Sequence, residues 1–264
     1  MKAGVIQFDI QGGDVAGNRQ KAAKLVIDAA KQGADLVLLP ELWNCGYALK
    51  YLDELAETSD GESIKMLQDL AREHEIFIIG GSIGEKKEDK FYNTSVAINQ
   101  KGEIVQKYRK VHLFSLGLEE HKYFTPGDQW KWVQTPWIKT GMIICYDLRF
   151  PEFMRNLVLR GAKLITVPAQ WPTARLSDWR VLCQARAIEN QCFLLSANRT
   201  GVDGEIEYSG GSMIIDSWGK VLVDAQDECG AFVSELDLSL LERNKTDVLN
   251  NRRPILDEID DSQI

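Results

Sequence analysis

Three short segments of this 264-residue sequence carry, at the ends of apolar stretches, side chains that together could break a carbon–heteroatom bond. In GMIICYDLRFPE, small and apolar residues run into Cys145, after which the polarity switches to Asp147 and Arg149 ahead of a helical pattern. A thiol between a strand end and a helix start sits where backbone N–H groups converge and thiolate is favoured. The alternative is a small buried hydrophobe, since free cysteine is commonly core. In DLVLLPELW an apolar strand pattern ends in Pro40 and presents Glu41 at its tip, as a cleft carboxylate or a solvated loop residue. In KYRKVHL, Lys110 follows the alternating Val105, Lys107 and Arg109, a basic run that by itself reads as the solvated face of an edge strand. Together the three residue types have a common use. Cysteine needs a base to become a good nucleophile, a carboxylate of raised pKa can serve, and a buried ammonium can hold a developing oxyanion.

The elements that must position these residues alternate almost throughout. VIQFDI reads as a strand, and QKAAKLVIDAAKQ as a helix with Ala23, Val26, Ile27 and Ala30 on one face. DLVLLPE is a short buried strand, ESIKMLQDLAREHE a second helix, and IFIIGGSI a continuous apolar run of the kind covered on both faces. TSVAINQKGEIVQKY predicts two strands joined by a turn at Asn99 to Gly102, and WVQTPWIKTGMIIC a strand pair around Pro136. PEFMRNLVLRGA is a helix with Pro151 in its first turn and Gly161 beyond its end. KLITVPAQ is a strand, SDWRVLCQARAIENQ a helix capped by its Ser or Asp, and CFLLSANRTG a strand. SMIIDSWGKVLVDA is a hairpin turning at Trp218–Gly219, and after GAFVSELDL the chain turns polar, with a helix and an exposed tail from about residue 250. No linker or composition break interrupts residues 1–264, which predicts one α/β domain with mixed sheets.

Composition narrows the function classes. Hydrophobic residues at 44% and charged residues at 27% are those of an ordinary globular protein. The net charge of −8 argues against a nucleic-acid partner, which would favour a basic face. The N-terminus lacks the long apolar centre of a signal peptide, and no apolar run is long enough to span a bilayer. Five scattered cysteines without a CxxC pair imply free thiols and a reducing cytoplasm. Among them Cys45 reads as a bystander, Cys183 and Cys192 as packing residues and Cys229 as exposed. Three dispersed histidines without metal-ligand spacing imply no metal site. His112 reads as orienting its neighbours or walling a pocket, His74 and His121 as surface residues.

The segments LPELW, YRKVHLF and CYDLRFPE, in that order, resemble the three signature motifs of the nitrilase superfamily of carbon–nitrogen hydrolases. The likeness runs from GVIQFDI through ARAIENQCFLLSANRTG to SMIIDSWGKVL, roughly the first nine-tenths of the chain. The resemblance implies Glu41 as general base, Lys110 as oxyanion donor and Cys145 as nucleophile, with the backbone N–H of Tyr146 as a second oxyanion donor. It also implies a second glutamate before the Pro-Gly of LEEHKYFTPG, at Glu120, or at Glu119 in the other register. It implies a four-layer α-β-β-α sandwich, no cofactor, and a homodimer or larger assembly, for which the ARAIENQ helix is a candidate interface.

Within the superfamily, CYDLRFPE with PAQWPTAR and ARAIENQ looks most like the omega-amidase branch, whose members hydrolyse terminal amides of small dicarboxylates such as 2-oxoglutaramate. The far carboxylate of such a substrate needs a cation, and a guanidinium grips it bidentately. Arg175 and Arg149 are the candidates; Arg149 has a salt bridge near the helix start as its alternative, and Arg175, in a loop after a strand end, is equally a loop residue without substrate contact. Tyr47, Trp171 and Trp43 either wall the pocket or belong to the core. The same catalytic set would equally serve a nitrilase, a carbamoylase or an aliphatic amidase. A module donating ammonia to a partner chain and a thiol redox protein are the readings from other classes; the second lacks a resolving-cysteine motif.

Overall fold

Apolar runs too short for helices form strands here because both of their faces find cover. The structure, a computed structural model, describes residues 1–115 and 119–243, together with residue 249. The first half of the chain contributes β1 (Lys2–Gln7), α1 (Val15–Lys31), β2 (Leu36–Leu38), the single turn α2 (Leu52–Leu55), α3 (Glu62–Glu73), β3 (Phe77–Ile79), β4 (Ile83–Lys87), β5 (Lys90–Ile98) and β6 (Ile104–Arg109). The second half adds β7 (Lys131–Gln134), β8 (Lys139–Met142), α4 (Pro151–Leu159), β9 (Leu164–Pro168), α5 (Leu176–Asn190) and β10 (Phe193–Ala197). A hairpin of β11 (Thr200–Asp203) and β12 (Ile206–Ser209) follows, then β13 (Met213–Ile215), β14 (Val221–Asp224), β15 (Gly230–Glu235) and α6 (Ser239–Arg243).

Two mixed sheets result. One has seven strands in the order β15-β1-β2-β3-β5-β4, with β6 also paired to β5; the other has six, β14-β13-β10-β9-β8-β7. In each sheet three central strands run parallel, β1–β2–β3 and β8–β9–β10, and the outer pairings are antiparallel. Successive side chains of β1 to β3 point to opposite faces, and both faces are apolar. Ala3, Val5, Leu36, Leu38, Phe77 and Ile79 share a core with β9, β10 and β13 of the other sheet, which continues to Met154 of α4 and Trp179 of α5. Ile6, Val37 and Ile78 turn the other way, onto Val26 and Ala29 of α1 and Ile64 and Leu67 of α3. The layers are therefore helix, sheet, sheet, helix, as the resemblance implied.

Three local readings change. The buried face of α1 runs through Asn18, Ala22, Val26 and Ala29, not Ala23, Ile27 and Ala30. Asn18 sets this rotation, because its side-chain amide donates to the carbonyls of Gln11 (2.7 Å) and Asn44 (3.0 Å). The IFIIGGSI run is not one strand: it breaks at Gly80–Gly81 between β3 and β4. Helix α5 has no side-chain cap from Ser or Asp; its cap residue is Arg175, and Asp178 lies in the first turn. The hairpins β4–β5 and β11–β12 were not foreseen. Among the described residues no helix is long and apolar enough to cross a membrane. The expected tail from about residue 250 lies outside the described residues.

Gly81 adopts φ +58°, and a Cβ there would overlap the carbonyl oxygen of Pro40, the residue before Glu41. Gly81→Ala should therefore combine backbone strain with a clash and lower stability by about 2–4 kcal/mol. The midpoint of urea unfolding reads this, and an unchanged midpoint would contradict it.

Candidate active site

Glu41, Lys110 and Cys145 each follow a strand, and the strand directions bring the three ends together. Lys110 follows β6, which is antiparallel to β5 and so runs with β2 and β3. Glu41 follows β2 in the same sheet, while Cys145 follows β8 in the facing one. Glu41 and Lys110 are fully buried, and so is Glu120, which opens a single 3-10 turn at Glu120–Lys122. Lys110 Nζ donates to Glu41 Oε1 at 2.8 Å and to both oxygens of Glu120 at 3.0 and 2.7 Å. An ammonium has three donors, so all of them are engaged with carboxylates. Glu119, the other register, points away and pairs with Lys122 at 2.7 Å.

Both carboxylates have further donors. Asn93 Nδ2 reaches Glu41 Oε1 at 2.8 Å and Glu120 Oε1 at 3.4 Å, and the Gln170 backbone N–H donates to Glu41 Oε2 at 2.9 Å. Glu120 also accepts from the Tyr47 hydroxyl (3.1 Å) and the Phe114 backbone N–H (2.7 Å). Burial by itself would lower the Lys110 pKa, but Glu120, Glu41 and the Cys145 sulfur together lift it above the ordinary lysine value. One cation cannot neutralise two carboxylates. Burial and the neighbouring Glu41 accordingly hold Glu120 above the usual carboxylate range, with Lys110 opposing.

Cys145 is the first residue of a 3-10 turn, Cys145–Arg149, and has φ +46°, a left-handed conformation uncommon for a residue with a Cβ. Asp147 stabilises this turn. Its buried carboxylate accepts from the Ile144 N–H (2.9 Å), the Tyr108 hydroxyl (2.6 Å) and the His112 N–H (2.9 Å), with His112 Nδ1 at 2.8 Å. Tyr108 and His112 flank Lys110, so one carboxylate ties the Lys110 segment to the Cys145 turn. His112 also stacks on Phe150 at 3.7 Å. The expectation that this strand end favours thiolate does not hold. Burial first, then Glu41, which hydrogen-bonds the sulfur, push the Cys145 thiol well above its ordinary pKa, and Lys110 only partly opposes them.

A cleft leads to the sulfur, lined by Tyr47, Phe114, Tyr146, Trp171 and Pro172 with Arg149 and Arg175. Tyr47 and Trp171 are thus wall residues. Trp43 belongs to the core beneath α1 and α3, its Nε1 donating to the Gly80 carbonyl at 2.8 Å. The two arginines differ. Arg149 pairs with Asp178 at 2.9 Å and lies over the Trp171 ring at 4.9 Å. Arg175 is exposed, and among the described residues its guanidinium has no acidic partner. Cys45, Cys183 and Cys192 are buried away from the cleft, each held near pKa 12 chiefly by burial, and Cys229 is exposed. Among the described residues no His, Cys, Asp and Glu side chains group as metal ligands.

Asn93, Asp147 as a tie, Gln170 and Arg199 were not singled out from the sequence. The available signal was a polar residue within or directly after an apolar strand, as in YNTSVAI, TVPAQ and LLSANR.

The profile described as Carbon-nitrogen hydrolase matches residues 2–245 of this chain. A 2-oxoglutaramate amidase from Bacillus subtilis (strain 168) is 40% identical, with 88% of this chain and 89% of the relative covered. The mouse protein named Omega-amidase NIT2 is 36% identical, with 89% of each covered. A cysteine-to-alanine variant of the amidase from Nesterenkonia sp. AN1, solved in complex with butyramide, superposes with a TM-score of 0.83 at 28% identity, covering 93% of this chain and 94% of that one.

Because burial and Glu41 raise the Cys145 thiol pKa, the difference between wild type and Cys145→Ala should show no thiolate absorbance step at 240 nm between pH 5 and 9. A step in that range would contradict the buried, carboxylate-flanked thiol.

Proposed function

Since the chain belongs to the carbon–nitrogen hydrolase family, we propose that it hydrolyses the terminal amide of a small dicarboxylate, such as 2-oxoglutaramate, through a thioester on Cys145. The observation that carries the reaction type is a buried thiol beside a carboxylate, Glu41, that also binds a buried ammonium. Glu41 takes the thiol proton as the sulfur attacks the amide carbonyl. Lys110 and the Tyr146 backbone N–H hold the tetrahedral oxyanion. Because Lys110 has no idle donor, it serves the oxyanion by exchanging the longer of its two bonds to Glu120, at 3.0 Å, and keeping the shorter. Protonated Glu41 then gives its proton to the departing ammonia, leaving the thioester. Water, deprotonated by Glu41 and oriented with help from Glu120, attacks the acyl carbon and releases the acid and the thiol.

The dicarboxylate preference rests on Arg175. Arg149 is engaged by Asp178, whereas the Arg175 guanidinium is open at the cleft and can take a carboxylate bidentately. The names of the amidase relatives point to the same substrate class. A second reading, turnover of neutral aliphatic amides, is favoured by the aromatic wall and by the related amidase solved with butyramide. The matching of the family profile to residues 2–245 supports reading the chain as one hydrolase domain, and five free cysteines support a cytoplasmic setting.

A homodimer is supported by α5, which exposes Val181 and Ile188 two turns apart, beside the exposed Trp218. These residues occupy one apolar patch, since Gln184 of the same helix donates to the Gly219 carbonyl at 3.2 Å. Sedimentation velocity should give a dimer that Val181→Asp with Ile188→Asp dissociates; a monomeric wild type would reject this assembly.

Ammonia release from succinamate, 2-oxoglutaramate and butyramide tests the reaction. Cys145→Ala should abolish turnover, and Lys110→Ala should lower kcat by about two to three orders of magnitude. Arg175→Ala should raise KM for succinamate while changing that for butyramide little. Mass spectrometry of quenched wild type should find the acyl group on Cys145. Activity retained without Cys145 would end the mechanism, and a wild-type preference for butyramide would dismiss the carboxylate clamp.

A further inference from the structure

Arg199 is a fully buried arginine, placed just after β10 and outside the catalytic cluster described above. Its donors are spread over four neighbours. Nε donates to the Thr200 carbonyl at 3.0 Å, Nη2 to the Ile10 carbonyl and towards Asp9 Oδ1 at 3.4 Å, and Nη1 to Gln170 Oε1 at 3.0 Å. Asp203 lies 3.5 Å from Nη1, and the centroid of the Tyr208 ring 4.5 Å from Cζ. The bond to Gln170 leads to the reacting groups. Gln170 Nε2 donates to the main-chain carbonyl of Glu41 at 2.8 Å, and Gln170 N to the Glu41 carboxylate at 2.9 Å.

The chemistry of the partners leaves this chain one polarity. Arginine only donates, so the amide atom facing it must be oxygen; a carbonyl only accepts, so the atom facing Glu41 O must be nitrogen. Reversing the Gln170 amide would place donor against donor and acceptor against acceptor between buried side chains. Arg199 follows β10, Gln170 follows β9, and Glu41 follows β2 in the facing sheet. The connection thus bridges both sheets at the rim where the thiol lies.

We infer that Arg199 is a positioning residue: by fixing the Gln170 amide it holds the Glu41 main chain and carboxylate in register with Cys145. The inference rests on Glu41 acting as the base. Arg199 touches no reacting atom, and its effect reaches the reaction only through Gln170.

The test is a double-mutant cycle with Arg199→Met and Gln170→Met, using rates normalised to the Cys145 acylated in a quenched burst. Each single variant should lose about 10- to 100-fold in kcat, the scale of a misplacement near 1 Å, with KM little changed. The double variant should be no slower than the slower single, since the second change removes a bond already uncoupled. Multiplying losses, a loss expressed only in KM, or wild-type kcat in Arg199→Met would each overturn the inference. If Arg199→Met yields no folded protein, Gln170→Glu keeps an acceptor for Arg199 but removes the donor to the Glu41 carbonyl. It should show the same kcat loss, and wild-type kcat there would equally overturn the relay. Glu41→Gln separates the two claims. Near-wild-type turnover in that variant removes the assigned base and this inference with it, whereas an inactive Glu41→Gln beside multiplying losses removes this inference alone.

Discussion

The site depends on one ammonium buried between two carboxylates. Ions of this size cost several kcal/mol each to remove from water, and only close pairing with further hydrogen bonds compensates. Lys110 meets that demand with three short bonds, and Asn93, Gln170, Tyr47 and Phe114 fill the remaining carboxylate positions. The pairing is deliberately incomplete in charge. Burial first, and then the excess of negative potential left by two carboxylates against one cation, push the neighbouring thiol above its ordinary pKa. In the proposed reaction, a substrate that places a developing negative charge beside Lys110 draws the ammonium field to itself. Under the same proposal, Glu41 is the carboxylate placed to receive the proton from sulfur.

The sandwich exists, in functional terms, to hold that cluster across a gap between two sheets. Glu41 and Lys110 come from one sheet and Cys145 from the other, so ordinary sliding of the sheets would separate them. Two polar ties resist it. Asp147 binds the Tyr108–His112 segment to the Cys145 turn, and Gln170 binds the end of β9 to Glu41. Both are buried, where a hydrogen bond left unmade is costly and a relaxed alternative is scarce.

The residues legible in the sequence were those that break a pattern locally. Glu41, Lys110 and Cys145 each end an apolar or alternating run, a signal confined to a few neighbours in the chain. Glu120 lies in no such pattern and could be named only through the family resemblance. The alternation of strands and helices made the layers readable, yet the rotation of α1 was off by one position because Asn18, a polar residue, anchors it from within. Asp147, Gln170 and Arg199 matter through partners that are distant in sequence; Gln170 is 129 residues from Glu41 and Arg199 189 from Ile10. No periodicity encodes such a meeting, and only the packed sheets reveal it. The environment of the thiol was misread for a related reason: the turn after β8 suggested a helix start, while burial and Glu41 from the facing sheet raise the thiol pKa.

The left-handed backbone at residue 145 sets stability against turnover at a single position. Glycine would adopt that conformation without strain, but it has no sulfur. The chain therefore retains a side chain where its own geometry would rest more easily without one, and an alanine there would inherit the tension while losing the chemistry. Loss-of-function drift at this codon towards glycine would relax the backbone, so an inert descendant of this enzyme could keep its fold intact long after its activity had gone.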